Sequence, residues 1–179
     1  MKNKIGKRLV KSFLIVILIT ISIIDIFLLF VFSYYYYNNI SKELISRMEL
    51  SLEIYRRDYS DKSIEDLIYE DSDIFFSNTN AEVQILDNDG VILLDSIGRV
   101  SPNEINTSDI LAAEKGEIKT WRGEDSQTGE SIMAVTGPIK NNKGENVGYL
   151  RFISSMEKAN KAILKTVITF FIFTLFVAF

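Results

Sequence analysis

The sequence predicts an α+β protein: an antiparallel five-stranded sheet with a long N-terminal helix, flanked by transmembrane helices. Three observations predict it. Long apolar runs stand near both ends of the 179-residue chain. A β-hairpin signal and a later three-strand meander lie between them. Amphipathic and capped helical stretches fill the intervals, and such elements bury their apolar sides by backing a sheet.

The first apolar run, residues 13–32, reads FLIVILITISIIDIFLLFVF. That is about the 20 residues needed to cross a ~30 Å hydrocarbon core. Tyr34 to Tyr37 follow, and tyrosine favours the membrane interface, so the span is placed at 13–37. A secretory signal peptide is disfavoured. The run exceeds the usual ~7–15 apolar residues and no small-x-small cleavage site follows. Residues 1–12 carry Lys2, Lys4, Lys7, Arg8 and Lys11. The positive-inside rule then puts the N-terminus in the cytoplasm and residues 38–161 outside the cell membrane. The second apolar run, residues 162–179, reads AILKTVITFFIFTLFVAF and stops without a charged flank. It is expected to be the start of a truncated second span. Asp25 stands well inside the first run, where an acid costs ~2.5–3.5 kcal/mol on insertion scales. Two expectations follow: a protonated Asp25 bonded to Ser22 or a backbone carbonyl, or a polar contact between the first spans of a dimer.

Between the runs, Ile40, Leu44, Met48, Leu52, Tyr55 and Tyr59 recur at steps of three and four. They mark one face of a helix that continues the first span outward. Ser63 followed by Asp66 resembles a capping box for a short helix over IEDLIYE. Asn78-Thr79-Asn80 reads as a loop. Val83–Leu86 and Val91–Leu94 flank Asp87-Asn88-Asp89-Gly90, which reads as a hairpin with Gly90 supplying a positive φ. A calcium loop is disfavoured there, because Val91 and Ile92 occupy positions where an EF-hand needs a ligand and a glycine. Ser101-Pro102-Asn103-Glu104 suits a helical turn. A helix from Ser108 to Lys115 closes on Gly116. Strands are expected at 117–124, 131–139 and 146–153. The long helix should cover one sheet face and the middle helices the other.

Composition excludes several chemistries. There is no cysteine and no histidine. Disulfides, thiol nucleophiles, Cys- or His-based metal sites and a histidine base are therefore ruled out. Residues 38–161 hold 14 basic and 23 acidic side chains. That balance repels phosphates, so no nucleic-acid partner is expected. No Gly-rich phosphate loop or nucleophile elbow occurs, so the expectation is no catalytic residue, no metal and no cofactor. Asp71 and Asp73 are expected on the solvated surface.

The order of these elements, with VQILDNDGVILLDS, the strand MAVTGPI and a final GYLRFISS running to the second apolar run, resembles the extracytoplasmic PAS-like or single Cache sensor regions of bacterial transmembrane receptors. It is most similar to those of sensor histidine kinases of the phosphate-sensing and cell-wall-sensing type. The resemblance covers residues 38–161 and the flanking spans. It implies a homodimeric input region of a two-component kinase whose catalytic parts lie after Phe179. The sensor of a chemotaxis-type receptor is the first alternative, and a two-span structural membrane protein is the second. By resemblance, a ligand lies between the sheet and the helices before the meander. Candidate lining residues are Trp121, Arg122, Met133, Val135, Tyr149 and Arg151. The aromatics offer an apolar wall with a polar edge. The arginines suit a small anionic ligand. Ordinary core packing, with Arg122 and Arg151 exposed or paired with Glu124 or Glu157, explains the same residues, and an envelope or membrane protein is the other expected partner. Only Ser154 to Lys161 separate the last strand from the second apolar run, so motion of that strand is expected to move the second helix.

Overall fold

The computed structural model describes residues 2–71, 73–76, 79, 81–98, 104–126 and 128–178. Its elements are α1 (Lys2–Asp58), α2 (Ile64–Glu70), α3 (Asp73–Phe76), β1 (Glu82–Leu86), β2 (Ile92–Asp95), α4 (Ser108–Ala113), β3 (Lys119–Glu124), β4 (Ser131–Lys140), β5 (Asn146–Ser155) and α5 (Glu157–Ala178). Two compact units result, one of Met1–Asn38 with Lys158–Phe179 and one of Asn39–Glu157. The expected turn at Ser101-Pro102-Asn103, Asn78 and Asn80 of the expected loop, and Gln127 lie outside the described residues.

The first unit pairs the inner part of α1 with α5. Among the described residues one helical stretch, Arg8–Asp58 of α1, is long and apolar enough to cross a membrane. Its Phe13, Ile26 and Phe30 are exposed, as are Phe171, Phe173 and Phe176 of α5. So much bare apolar surface suits lipid better than water. The Thr174 hydroxyl donates to Asp25 Oδ2 at 2.5 Å. Among the described residues the hydrogen-bond partner of Asp25 is therefore a hydroxyl of α5, rather than Ser22 or a backbone carbonyl. Tyr37 donates to Asn160 Oδ1 at 2.6 Å.

The second unit holds the sheet. Its strand order is β2-β1-β5-β4-β3, and every pairing is antiparallel. Side chains alternate between faces along each strand, and paired residues share a face. One face therefore carries Val83, Ile85, Met133, Val135, Leu150 and Phe152, all buried. The outer part of α1 packs on it. Leu44, Met48 and Tyr55 are buried at the spacing the sequence predicts. Gly137 lets α1 come close: a Cβ there would stand 2.8 Å from Leu52 Cδ1. Ser63 caps α2 by accepting the Asp66 N–H at 3.1 Å. Phe75 of α3 stacks on Tyr55 at 6.0 Å between centroids.

The other face is covered by α4, which packs against β3 and β4. The middle helices are thus divided: α4 crosses to the second face, while α3 stays with α1 because Phe75 finds its apolar partner there. The hairpin turn is built as expected. Asp87 Oδ1 accepts the N–H groups of Asp89 and Val91, at 2.9 and 2.8 Å, and Gly90 takes φ 81°. Gly116 ends the α4 turn at φ 81°. β5 runs two residues past the expected end, and the Met156 N–H donates to Ser131 O at 2.8 Å. Met156 alone separates β5 from α5.

Candidate functional site

Three strands that read as apolar each carry one interior polar residue: Gln84 in β1, Thr136 in β4 and Arg151 in β5. The register aligns them. Gln84 faces Asp95 of β2 on one side and Arg151 on the other, and Arg151 faces Thr136. A polar row thus crosses four strands on the face that α4 covers. Each of the four is at most 8% exposed, so each needs a partner.

Asp109, in the first turn of α4, supplies the countercharge. It is fully buried. Arg151 Nε donates to Asp109 Oδ2 at 3.0 Å, and the Thr136 hydroxyl donates to the same oxygen at 2.6 Å. Arg151 Nη1 donates to Gln84 Oε1 at 3.2 Å, while Nη2 reaches Thr107 Oγ1 at 3.5 Å. Gln84 Nε2 in turn donates to Asp95 Oδ2 at 2.9 Å. The guanidinium carbon lies 5.8 Å from the centre of the Trp121 ring, a cation–π distance. Asp109 Oδ1 is buried and has no hydrogen-bond partner among the described residues. This arrangement can do one thing beyond structure: offer a desolvated acceptor to an incoming N–H donor, beside a guanidinium that can exchange partners.

An apolar wall adjoins the row. Tyr149 packs with Leu86, Ile110 and Ala113, with Ile92 and Ile105 at the rim. Its hydroxyl lies 3.1 Å from the Asn146 side-chain amide. Burial, with help from the Glu114 charge, holds the phenol above its ordinary pKa of 10.0.

Strand alternation divides the six residues singled out from sequence. Trp121, Tyr149 and Arg151 share the α4 side, Trp121 resting on Ile132, Ala134 and Ile153. Met133 and Val135 point to the α1 side and are core. Arg122, paired with Met133 across the ladder, is on that side too and is exposed. Arg151 is neither exposed nor paired with a glutamate; its ion partner is Asp109. Gln84, Asp95, Thr107, Asp109 and Thr136 were missed. A single polar residue inside an apolar strand was the signal that could have found Gln84 and Thr136. A separate surface groove of about 280 Å³, lined by Glu49, Leu52, Glu53, Arg56, Ile118 and Lys140, holds none of the predicted residues.

No protein-family model matches the chain, and no curated protein is similar enough in sequence to count as a relative. Solved structures do match. The ligand-binding domain of the Campylobacter jejuni chemoreceptor Tlp3, in complex with 4-methylisoleucine, aligns with TM-score 0.55 and 16% identity, over 79% of this chain and 61% of that one. An extracellular ligand binding receptor from Desulfohalobium retbaense gives TM-score 0.56 and 12% identity, over 78% and 26%. The ligand-binding domain of Mlp24 with asparagine gives 0.52 and 14%, over 79% and 62%. The chain thus spans about three-fifths of the Tlp3 and Mlp24 domains and a quarter of the third protein. At such low identity the likeness is one of fold. The long helix and five-stranded antiparallel sheet of this chain have the α+β, PAS-like/Cache architecture that the sequence resemblance implied.

Proposed function

We propose that residues 38–161 are the extracytoplasmic signal-sensing domain of a membrane receptor, with residues 13–37 and the run from residue 162 as its spans. The single observation that carries this is the buried row Asp95–Gln84–Arg151–Thr136 under α4, with Asp109 Oδ1 left over. A purely structural sheet gains nothing from desolvating two charges, since a buried ion pair is no more stable than well-packed apolar residues. A ligand-reading sheet needs such groups held ready. The fold supports the reading, because similar sheets belong to proteins described as ligand-binding domains, that of the Tlp3 chemoreceptor among them.

Arg151 alone suggests an anionic ligand. With Asp109 beside it, the better fit is a small molecule carrying both a carboxylate and an ammonium. The ammonium donates to Asp109 Oδ1, and the carboxylate replaces Thr107 or Gln84 on Arg151. The described complexes of the similar domains, with 4-methylisoleucine and with asparagine, agree with that class. Calorimetry of the full chain in nanodiscs against a panel of amino acids and of carboxylates without amines tests it. Saturable heat with amino acids supports the reading, and heat only with the amine-free carboxylates returns it to a simple anion. Silence from both panels removes the ligand site.

The output is the input to a two-component sensor histidine kinase, as the sequence resemblance implies, and the fold serves a chemotaxis-type receptor equally well. Any sequence that followed Phe179 would separate the two: a histidine-bearing helix pair with an ATP-binding domain favours the first, a long coiled coil the second. The orientation rests on the five basic residues of 1–12. The resemblance also implies a homodimer, which cross-linking in membranes tests.

A further inference from the structure

The unit of Met1–Asn38 and Lys158–Phe179 carries a feature that the sensing proposal does not use. Four threonines lie in its two apolar runs. Thr20, Thr166 and Thr169 turn their hydroxyls back to their own helix, onto the carbonyls of Val16, Ala162 and Lys165. That is the ordinary way for a threonine to satisfy itself in a helix. Thr174 does otherwise and donates across to Asp25. Thr174 is also only 6% exposed, while Ile172, Phe173 and Phe176 around it are bare. On α1, the half-buried positions Leu18, Ile21, Asp25, Leu29 and Ser33 follow steps of three and four, a single seam. On α5, Ile163, Val167, Phe170 and Thr174 form the matching seam. Asp25 and Thr174 therefore meet where the helices face each other. Tyr37–Asn160 lies 12 residues from Asp25 on α1 and 14 from Thr174 on α5, about 18 and 21 Å along the axes. The near-equal spans give an antiparallel pair held at two levels.

We propose that Asp25 and Thr174 form a latch that fixes the register of α1 against α5 within one chain. The physical reason is the cost of the alternative. A one-turn slide of α5, or a rotation that turns Thr174 off the seam, takes away the one cross-helix hydroxyl and leaves the Asp25 carboxyl facing apolar side chains or lipid, with only its own helix to turn back to. Apolar contacts along the seam do not resist such a slide, because Ile, Leu, Val and Phe can pack at either register. The latch thus gives the helix pair two separated arrangements rather than a continuum, and it gives α5 a defined resting position from which movement can be read. Asp25 is an intrachain register lock rather than a subunit contact.

The chain has no cysteine, so paired cysteines report register directly. Leu29→Cys with Phe170→Cys places two thiols one turn from the latch on facing seams. Leu29→Cys with Thr166→Cys reads the slipped register. The full chain is oxidised in native membranes, and intrachain and interchain products are separated by mobility. The native background should give the first cross-link, within one chain. Thr174→Val, which keeps the shape and removes only the hydroxyl, should shift the ratio of the two cross-links toward the slipped pair by roughly threefold. Asp25→Leu should do the same, while Thr174→Ser should hold the native ratio. Thr174→Val makes the span more apolar, so loss of insertion does not confound it. An unchanged ratio in Thr174→Val overturns the latch, and so does a native background in which interchain products dominate.

Discussion

Removing the Arg151 guanidinium should destabilise the unit of Asn39–Glu157 more than any surface change in it. In Arg151→Ala, Asp109 loses its ion partner and Gln84 Oε1 loses a donor. Asp109 is fully buried, so water does not replace the lost contact, and the Thr136 hydroxyl is its remaining donor among the described residues. Breaking one side of a buried pair costs about 3–5 kcal/mol, because the other charge stays desolvated. A domain of this size is stable by about 5–15 kcal/mol, so the loss is a large fraction of the whole. The melting temperature should fall by on the order of 10–20 °C. Arg151→Met combined with Asp109→Leu removes both charges and should recover most of the loss. Urea unfolding followed by circular dichroism measures all three proteins. A cost under about 1 kcal/mol for Arg151→Ala, or a double variant no better than the single, would refute the argument that the pair is desolvated and mutually dependent.

Other outcomes follow from the same structure. Tyr55 Oη is buried without a partner among the described residues, so Tyr55→Phe should be neutral or stabilising by up to about 1 kcal/mol in the same unfolding assay. Burial holds the Tyr55 and Tyr149 phenols above 10.0. The unfolded chain therefore ionises first, and the stability these groups contribute is complete below pH 10 and is lost as pH rises through their folded values. Tyr149→Phe should flatten that alkaline loss in melts taken at stepped pH. Gly148→Ala puts a Cβ 2.5 Å from Leu86 O, inside the β1–β5 pairing, and should cost several kcal/mol, on the order of the larger effects seen for strained backbone sites. Gly-Ser residues inserted after Ser155 lengthen the one-residue joint between β5 and α5. On the proposed sensing role, they should leave ligand binding intact and abolish the signalling response measured in cells.

Local chemistry made most of the fold readable. Ser63, Gly90 and Gly116 mark a helix start, a turn and a helix end through their own geometry, and each stands where expected. The α1 face was legible because Leu44, Met48 and Tyr55 repeat at the helical period. The site was legible only in part. Trp121, Tyr149 and Arg151 were singled out as residue types and lie on the α4 face, but face alternation sends Arg122, Met133 and Val135 the other way. The partner of Arg151 was hidden by distance: Asp109 is 42 residues away and reads as an ordinary first-turn acid that favours the helix dipole. Thr174, 149 residues from Asp25, was hidden in the same way. Long-range pairings between single polar residues leave no periodic trace in a sequence.

The chain has one tryptophan, and it stands beside Arg151. Trp121 fluorescence during titration with amino acids therefore reports on the polar row itself. A saturable change in the native protein, lost in Asp109→Asn while the circular dichroism spectrum is retained, is the result that a sensing site under α4 predicts. An emission spectrum that stays flat, or a change that Asp109→Asn leaves intact, contradicts it.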